Sequence, residues 1–192
     1  MKILLTTAAL AASMLVSSAA SAQAMPAAVV AVVDLQRVES ECTACKSAIT
    51  SLRGQQAAEE SREKALATPL QSEGQSIQTA VNALNGKQPD PALKARAQAW
   101  DSKRQQAEQE AQRGREQLQR NAEYVQQQIQ TKLNPIYTQV MQRRGANILV
   151  EQRATLATAS AVDVTNDVLT ALNAALPSVS TTAPAQTQSQ GR

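Results

Sequence analysis

The chain has 192 residues, a formal net charge of +3, 2% aromatic residues, and neither histidine nor phenylalanine. Without histidine, His-based triads, His general bases and His metal sites are excluded, and so few aromatics argue against a thick globular core. The mild basic excess does not mark a nucleic-acid binder, whereas abundant Ala, scarce Gly and the Gln-crowded stretch from Gln105 to Gln142 suit long exposed helices.

Lys2 followed by the apolar run Ile3 to Val16 and the small-x-small triplet Ala22-Gln23-Ala24 reads as a secretory leader over residues 1–24, with the mature chain starting at Met25. The apolar run is short for a membrane span. An exported protein is therefore expected, and in a bacterium that places it in the periplasm.

Val29 to Val33 is a short β-branched run, read as the strand of a head segment over residues 25–34. Asp34 is positioned to cap a following helix. From there apolar residues recur in steps of three and four: Leu35, Val38, Cys42, Cys45, Ile49 and Leu52, then Leu66, Leu70, Ile77, Ala80 and Leu84. At ~1.5 Å per residue, one helix from Leu35 to Leu84 would span roughly 75 Å, far more than a compact domain needs. A tip at residues 85–91 ends it, with Gly86 suited to a helix C-terminus and Asp90 and Pro91 suited to a new start. The second run passes through Leu93, Ala97, Trp100, Ala107, Ala111, Leu118, Val125, Ile129, Ile136 and Val140 and stops at Gly145.

The two runs match as an antiparallel hairpin arm over residues 35–145. Pairing Leu84 with Leu93 sets Ile77 against Trp100, Leu70 against Ala107 and Cys42 against Ile136 without a slip. The same register sets Glu73 against Arg104 and Glu63 against Arg115. Pro69 and Pro135 are expected to bend the arm, and Gly114 to soften it.

Residues 146–177 return to the head. Asn147 to Glu151 and Thr155 to Thr158 read as two strands, and Asp163 as the cap of a last helix from Val164 to Leu176, stopped by Pro177. The Ser/Thr/Gln/Pro-rich residues 178–192 read as a disordered tail. The expected fold class is thus α+β, mostly α: a small β-strand head carrying a long helical hairpin. Such a head is near the size at which a core needs help, so it is expected to oligomerise through Val30, Val32, Ile148, Leu149 and Val150.

The leader, the strand running into Asp34-Leu35-Gln36-Arg37-Val38, the Gln/Ala/Glu-rich hairpin, Ile148-Leu149-Val150 and Asp163-Val164-Thr165-Asn166-Asp167-Val168 together resemble the Skp/OmpH family of periplasmic chaperones. The resemblance covers about Ala28 to Leu176. It implies a homotrimer whose hairpins hang as tentacles around a cavity that holds unfolded outer-membrane proteins before membrane insertion. Holding without ATP is expected, since no G-x-x-x-x-G-K-[ST] loop occurs, and no cofactor, metal or enzymatic activity is expected either. Leu66, Leu70, Ile77, Leu84, Leu93 and Trp100 are the candidate client contacts on the arm. The family is often strongly basic at its arm tips; here Glu73 to Arg104 carries a net charge of only plus two, which leaves contact with lipopolysaccharide or membrane unsupported.

Cys42-Thr43-Ala44-Cys45 admits three readings: a thioredoxin-like redox pair, a disulfide within or between chains, or two small seam residues. No βαβ pattern surrounds the motif, which counts against the redox pair, and the seam reading is preferred because both cysteines are small, apolar and at heptad positions. Two other function classes stand beside the chaperone: a structural coiled-coil envelope or adaptor protein without client holding, and a thiol oxidoreductase resting on the cysteines alone.

Overall fold

The computed structural model describes residues 26–185. The expected leader and Met25 lie outside them, as do residues 186–192. The order of elements is β1 (Val30–Val33), α1 (Leu35–Glu41), α2 (Thr43–Ala83), α3 (Pro91–Arg144), β2 (Ile148–Glu151) and α4 (Thr165–Ala175), with single 3-10 turns at Gln152–Ala154 and Ser160–Val162. The protein is an α+β structure, mostly helical, with a two-stranded head and a long helical arm. No helix among the described residues is long and apolar enough to cross a membrane.

β1 and β2 pair in parallel, Val30 opposite Ile148 and Val33 opposite Glu151. Parallel neighbours require a crossover, and here the crossover is the whole arm. It spans 41 residues out in α2 and 54 back in α3, or about 60 and 80 Å at ~1.5 Å per residue. Local chemistry fixes where each helix begins and ends. The Asp34 carboxylate accepts the Arg37 N–H at 2.9 Å, and the Asp90 carboxylate accepts the Leu93 N–H at 2.7 Å, with Pro91 at the first helical position. Asn85 and Gly86 turn the tip with positive φ, and Gly145 ends α3 at φ 66°. Asp163 accepts the Thr165 N–H at 2.8 Å where α4 starts.

One apolar core joins the head to the root of the arm. Ala31 and Val33 of β1 meet Val38, Cys42, Cys45, Ala48, Val125, Ile129, Leu133, Ile136 and Val140, and α4 closes it with Val168 and Leu172. Beyond Ala48 and Val125 this core stops. The arm farther out buries only Ile77 among its apolar side chains, with Glu59 and Asn121 among its polar ones.

Four expectations are corrected. The first helix is not continuous from Leu35: the backbone leaves helical geometry at Cys42 (φ −55°, ψ 127°), whose Sγ accepts the Cys45 N–H at 3.2 Å and restarts the helix as its cap. The Thr43 N–H freed there is taken by Asn173 of α4 at 2.9 Å. The third strand does not form. Residues 155–159 are irregular and Leu156 is fully exposed, because the other edge of β1 is already engaged by Asp163 and by the Val164 N–H on the Val32 carbonyl at 2.8 Å. The hairpin register holds at Glu63–Arg115 (2.6 Å) but slips toward the tip, where Glu73 pairs with Arg96 (2.6 Å) and Arg104 with Asp101 and Glu108 of its own helix. Finally, the tail expected to be disordered lies as an irregular strap over residues 178–185. Its Val179 packs against the core, and its polar groups bond to the arm.

Pro69 and Pro135 both lie within continuous helix. Gly114 seats the Glu59 side chain: a Cβ there would come within 1.8 Å of Glu59 Oε1. The missing Cβ leaves room for the flexible end of Glu59, which a larger side chain at 114 would push aside.

Candidate functional site

Three surfaces stand out: the outer arm, the free face of the head, and the flank of the arm root. On the outer arm, Trp100 organises the seam. Its indole N–H donates to the Leu70 carbonyl at 2.8 Å, and its ring lies on Gly74, where a Cβ would approach within 3.0 Å. Trp100 thus packs on Leu70 and Gly74 rather than across from Ile77. The ring needs a hole and the N–H an acceptor, and both are met about one and two turns away from the expected partner. The Arg104 guanidinium stands 5.8 Å from the ring centroid.

Grooves of about 390 and 490 Å³ open on either side of this point, and Leu66, Leu70, Trp100 and Ala107 line both. A third groove, about 480 Å³, lies nearer the head between Leu52, Leu118 and Ala122. Of the candidate contact residues, the structure therefore brings Leu66, Leu70 and Trp100 together at one place. Ile77 is buried in the seam, and Leu84 and Leu93 lie half-buried toward the tip, outside these grooves. The groove walls are charged: Arg96 lies in a bidentate pair on Glu73, and this hydrogen bonding, then the charges of Arg96 and Lys103, holds the Glu73 carboxyl below its ordinary range.

The sheet has two unlike faces. Ala31, Val33 and Leu149 point into the core. Val30, Val32, Ile148 and Val150 alternate to the other side. There Val32 is covered by the chain around Asp163, whereas Val30 and Ile148 are about 40% exposed. Val32 and Leu149 therefore pack within the protomer, and Val30 and Ile148, with Val150 half-buried beside them, form the free apolar face. Leu156, expected in a strand, lies in irregular chain and is fully exposed. The Tyr137 hydroxyl is buried with no partner among the described residues, and burial, then the Glu39 and Glu151 charges, raises its ionisation.

Cys42 and Cys45 are joined by a disulfide, with Cα atoms 5.1 Å apart, and both side chains are essentially fully buried in the core. They are at once seam residues and bridged, two readings that sequence spacing could not separate. Burial removes them from any partner thiol. Among the described residues no cluster of three or more His, Cys, Asp or Glu could hold a metal ion.

A parallel strand pair whose crossover is a helical hairpin defines a class of head-and-arm proteins. The family model described as outer membrane protein (OmpH-like) matches residues 29–172, and the chain belongs to that family. Among solved structures, the chain is similar to an OmpH-like protein of Caulobacter crescentus CB15, assigned as an outer membrane chaperone. The match has 17% identity and a TM-score of 0.67 and covers 82% of this chain and 90% of that one, a likeness of fold. No curated protein matches the chain.

Proposed function

We propose that this protein is an ATP-independent periplasmic holdase. It would bind unfolded outer-membrane proteins between helical arms of a homotrimer and keep them from aggregating before insertion. The observation that carries the reading is the outer arm. Its seam leaves Leu66, Leu70 and Trp100 half-exposed along open grooves, apolar enough to hold an unfolded chain weakly and too shallow to select one ligand. OmpH-like family membership and the exported character of the sequence support the same reading.

Support for the trimer comes from the head. β2 has one edge without a partner among the described residues, and Val30 and Ile148 leave apolar surface beside it. Such an edge and patch need a cover, and copies of the same head supply one. Sedimentation of Ile148→Asp tests this: the variant keeps its helical content but sediments as a protomer, and an unchanged oligomer would refute the assignment.

The holding activity is tested by diluting a urea-unfolded β-barrel porin into the mature protein. A soluble complex of fixed stoichiometry is expected, with light scattering suppressed. Aggregation at the rate of the porin alone would favour a structural spacer.

A further inference from the structure

The strap over residues 178–185 is held by side-chain amides on its backbone. Gln128 of α3 grips Ser180 on both sides, donating to its carbonyl at 2.9 Å and accepting its N–H at 3.0 Å. Gln55 of α2 donates to the Thr181 carbonyl at 3.0 Å. Asn121 of α3 accepts the Ala183 N–H at 2.9 Å, while its own amide donates to Gln55 at 2.7 Å. With the strap seated, Asn121 is only 5% exposed, and it also accepts from Gln117 at 2.8 Å.

These bonds read backbone rather than side chains. Among the described residues, the strap's side chains hydrogen-bond to the arm at the Thr181 hydroxyl, through Ser51 and Gln55. Inward positions alternate as Val179, Thr181 and Ala183, all half-buried, so every second side chain of the strap faces the arm. Asn121 and Gln128 are seven residues apart on a helix, a rise of about 10 Å. Ser180 and Ala183, three residues apart with a bend at Thr182 between them, reach these two amides.

The strap runs from the head toward the tip. Ser51, Gln55, Arg62 and Pro69 fall on one stripe of α2, at steps of four and seven, so the track leads toward the groove that Pro69, Leu70 and Trp100 line.

We propose that this flank is a binding track for extended polypeptide, recognised through its backbone, and that residues 178–185 occupy it until a segment of unfolded client displaces them. The inference rests on the client-holding reading. The ligand class is an extended segment with small or β-branched residues at alternate positions and free N–H groups where Gln128 and Asn121 accept. The tethered strap is a weak competitor at high local concentration, so holding would begin with an exchange of one bound segment for another.

The test has two arms. Ser51→Cys with Thr181→Cys staples the strap across a pair of hydroxyls that lie 2.9 Å apart. The oxidised staple should bind urea-unfolded porin several-fold more weakly than the same protein reduced. The unstapled protein, taken through the same treatment, corrects for the Cys42–Cys45 bridge. In the second arm, a synthetic peptide of residues 178–185 is added to the chain lacking 178–192. The side-chain amide NMR signals of Gln55, Asn121 and Gln128 should shift, and should shift alike with a peptide scrambled over 179–183. They should not shift with a peptide carrying proline at 180 and 183. Equal porin binding by stapled and reduced protein, or equal shifts from the proline peptide, would overturn the track. If neither form holds porin, the holdase reading fails, and the peptide arm alone decides whether the track exists.

Discussion

The head with the arm root and the outer arm are built from the same helices by different rules. Near the head, α2 and α3 lie under α4 and the sheet, so Leu133, Val140 and Leu172 lose all exposure and one core runs through three layers. Farther out the same two helices have only each other. Two helices can bury a single stripe, and here that stripe is interrupted by Glu59, Asn121 and the Glu63–Arg115 pair. The lesson is that length and stability are separable: the root is anchored tightly enough for the outer arm to be weakly packed, and weak packing is what leaves its grooves open.

The largest effect should come from cutting into the root. Leu133→Ala removes a fully buried side chain and should cost about 2–5 kcal/mol in urea unfolding. Leu70→Ala, half-exposed on the outer arm, should cost about 1 kcal/mol or less. Equal costs would dissolve the contrast. Next, reducing the Cys42–Cys45 bridge should destabilise the root by about 1–2 kcal/mol, because the loop it closes is very short. Trp100→Phe then takes away one hydrogen bond, worth about 0.5–1.5 kcal/mol. Its signature is faster amide exchange between residues 66 and 107 with the root unchanged; faster exchange throughout would mean that the arm opens as one unit.

The smallest effect is in acid. Hydrogen bonding from Thr165, then the Arg37 charge, holds the Asp163 carboxyl below its ordinary range. A depressed carboxyl contributes stability that is complete above its unfolded-state value and lost as pH falls through the folded one. Head stability should therefore be level near neutral pH and decline in the acid range below the ordinary carboxylate value. Asp163→Asn should flatten part of that decline in melting curves taken from pH 7 to pH 3. Glu73 is depressed in the same sense, but it is exposed on the outer arm, so Glu73→Gln should leave global melting in place.

What could be read from the sequence was either periodic or local. The heptad spacing of Ile129, Ile136 and Val140 against Cys42 and Cys45 reports the hairpin, because a buried stripe must repeat with the helix. Asp34, Asp90, Pro91 and Gly145 mark the helix ends because capping involves only neighbours in the chain. The misreadings all depend on partners distant in sequence. The break at Cys42 is stabilised by Asn173, 130 residues away. The strand expected at Thr155 fails because Asp163 has already taken the edge of β1. The seat of Trp100 is set by the missing Cβ of Gly74 across the hairpin. In the candidate site, Leu66, Leu70 and Trp100 were legible as seam residues of unusual bulk. Gln55, Asn121 and Gln128 were not, because in a glutamine-rich arm nothing local separates a gripping amide from a solvated one. The alternation of Val179, Thr181 and Ala183 after Pro177 was the one available sign of the strap.

The pairing of β1 directly with β2 has a consequence for how such a protein can vary. The chain leaves the head after Val33 and re-enters it at Ile148, and these two points stay side by side whatever lies between them. The arm is in effect a removable extension with an adjustable length. Taking one seven-residue block from the outer part of α2 and a matching block from α3 keeps the stripe in phase and shortens the reach by about 10 Å, while the head meets the same two chain ends as before. Taking a block from one helix alone would rotate one stripe away from the other. The reach of the arm can thus be reset by paired edits, without redesigning the head.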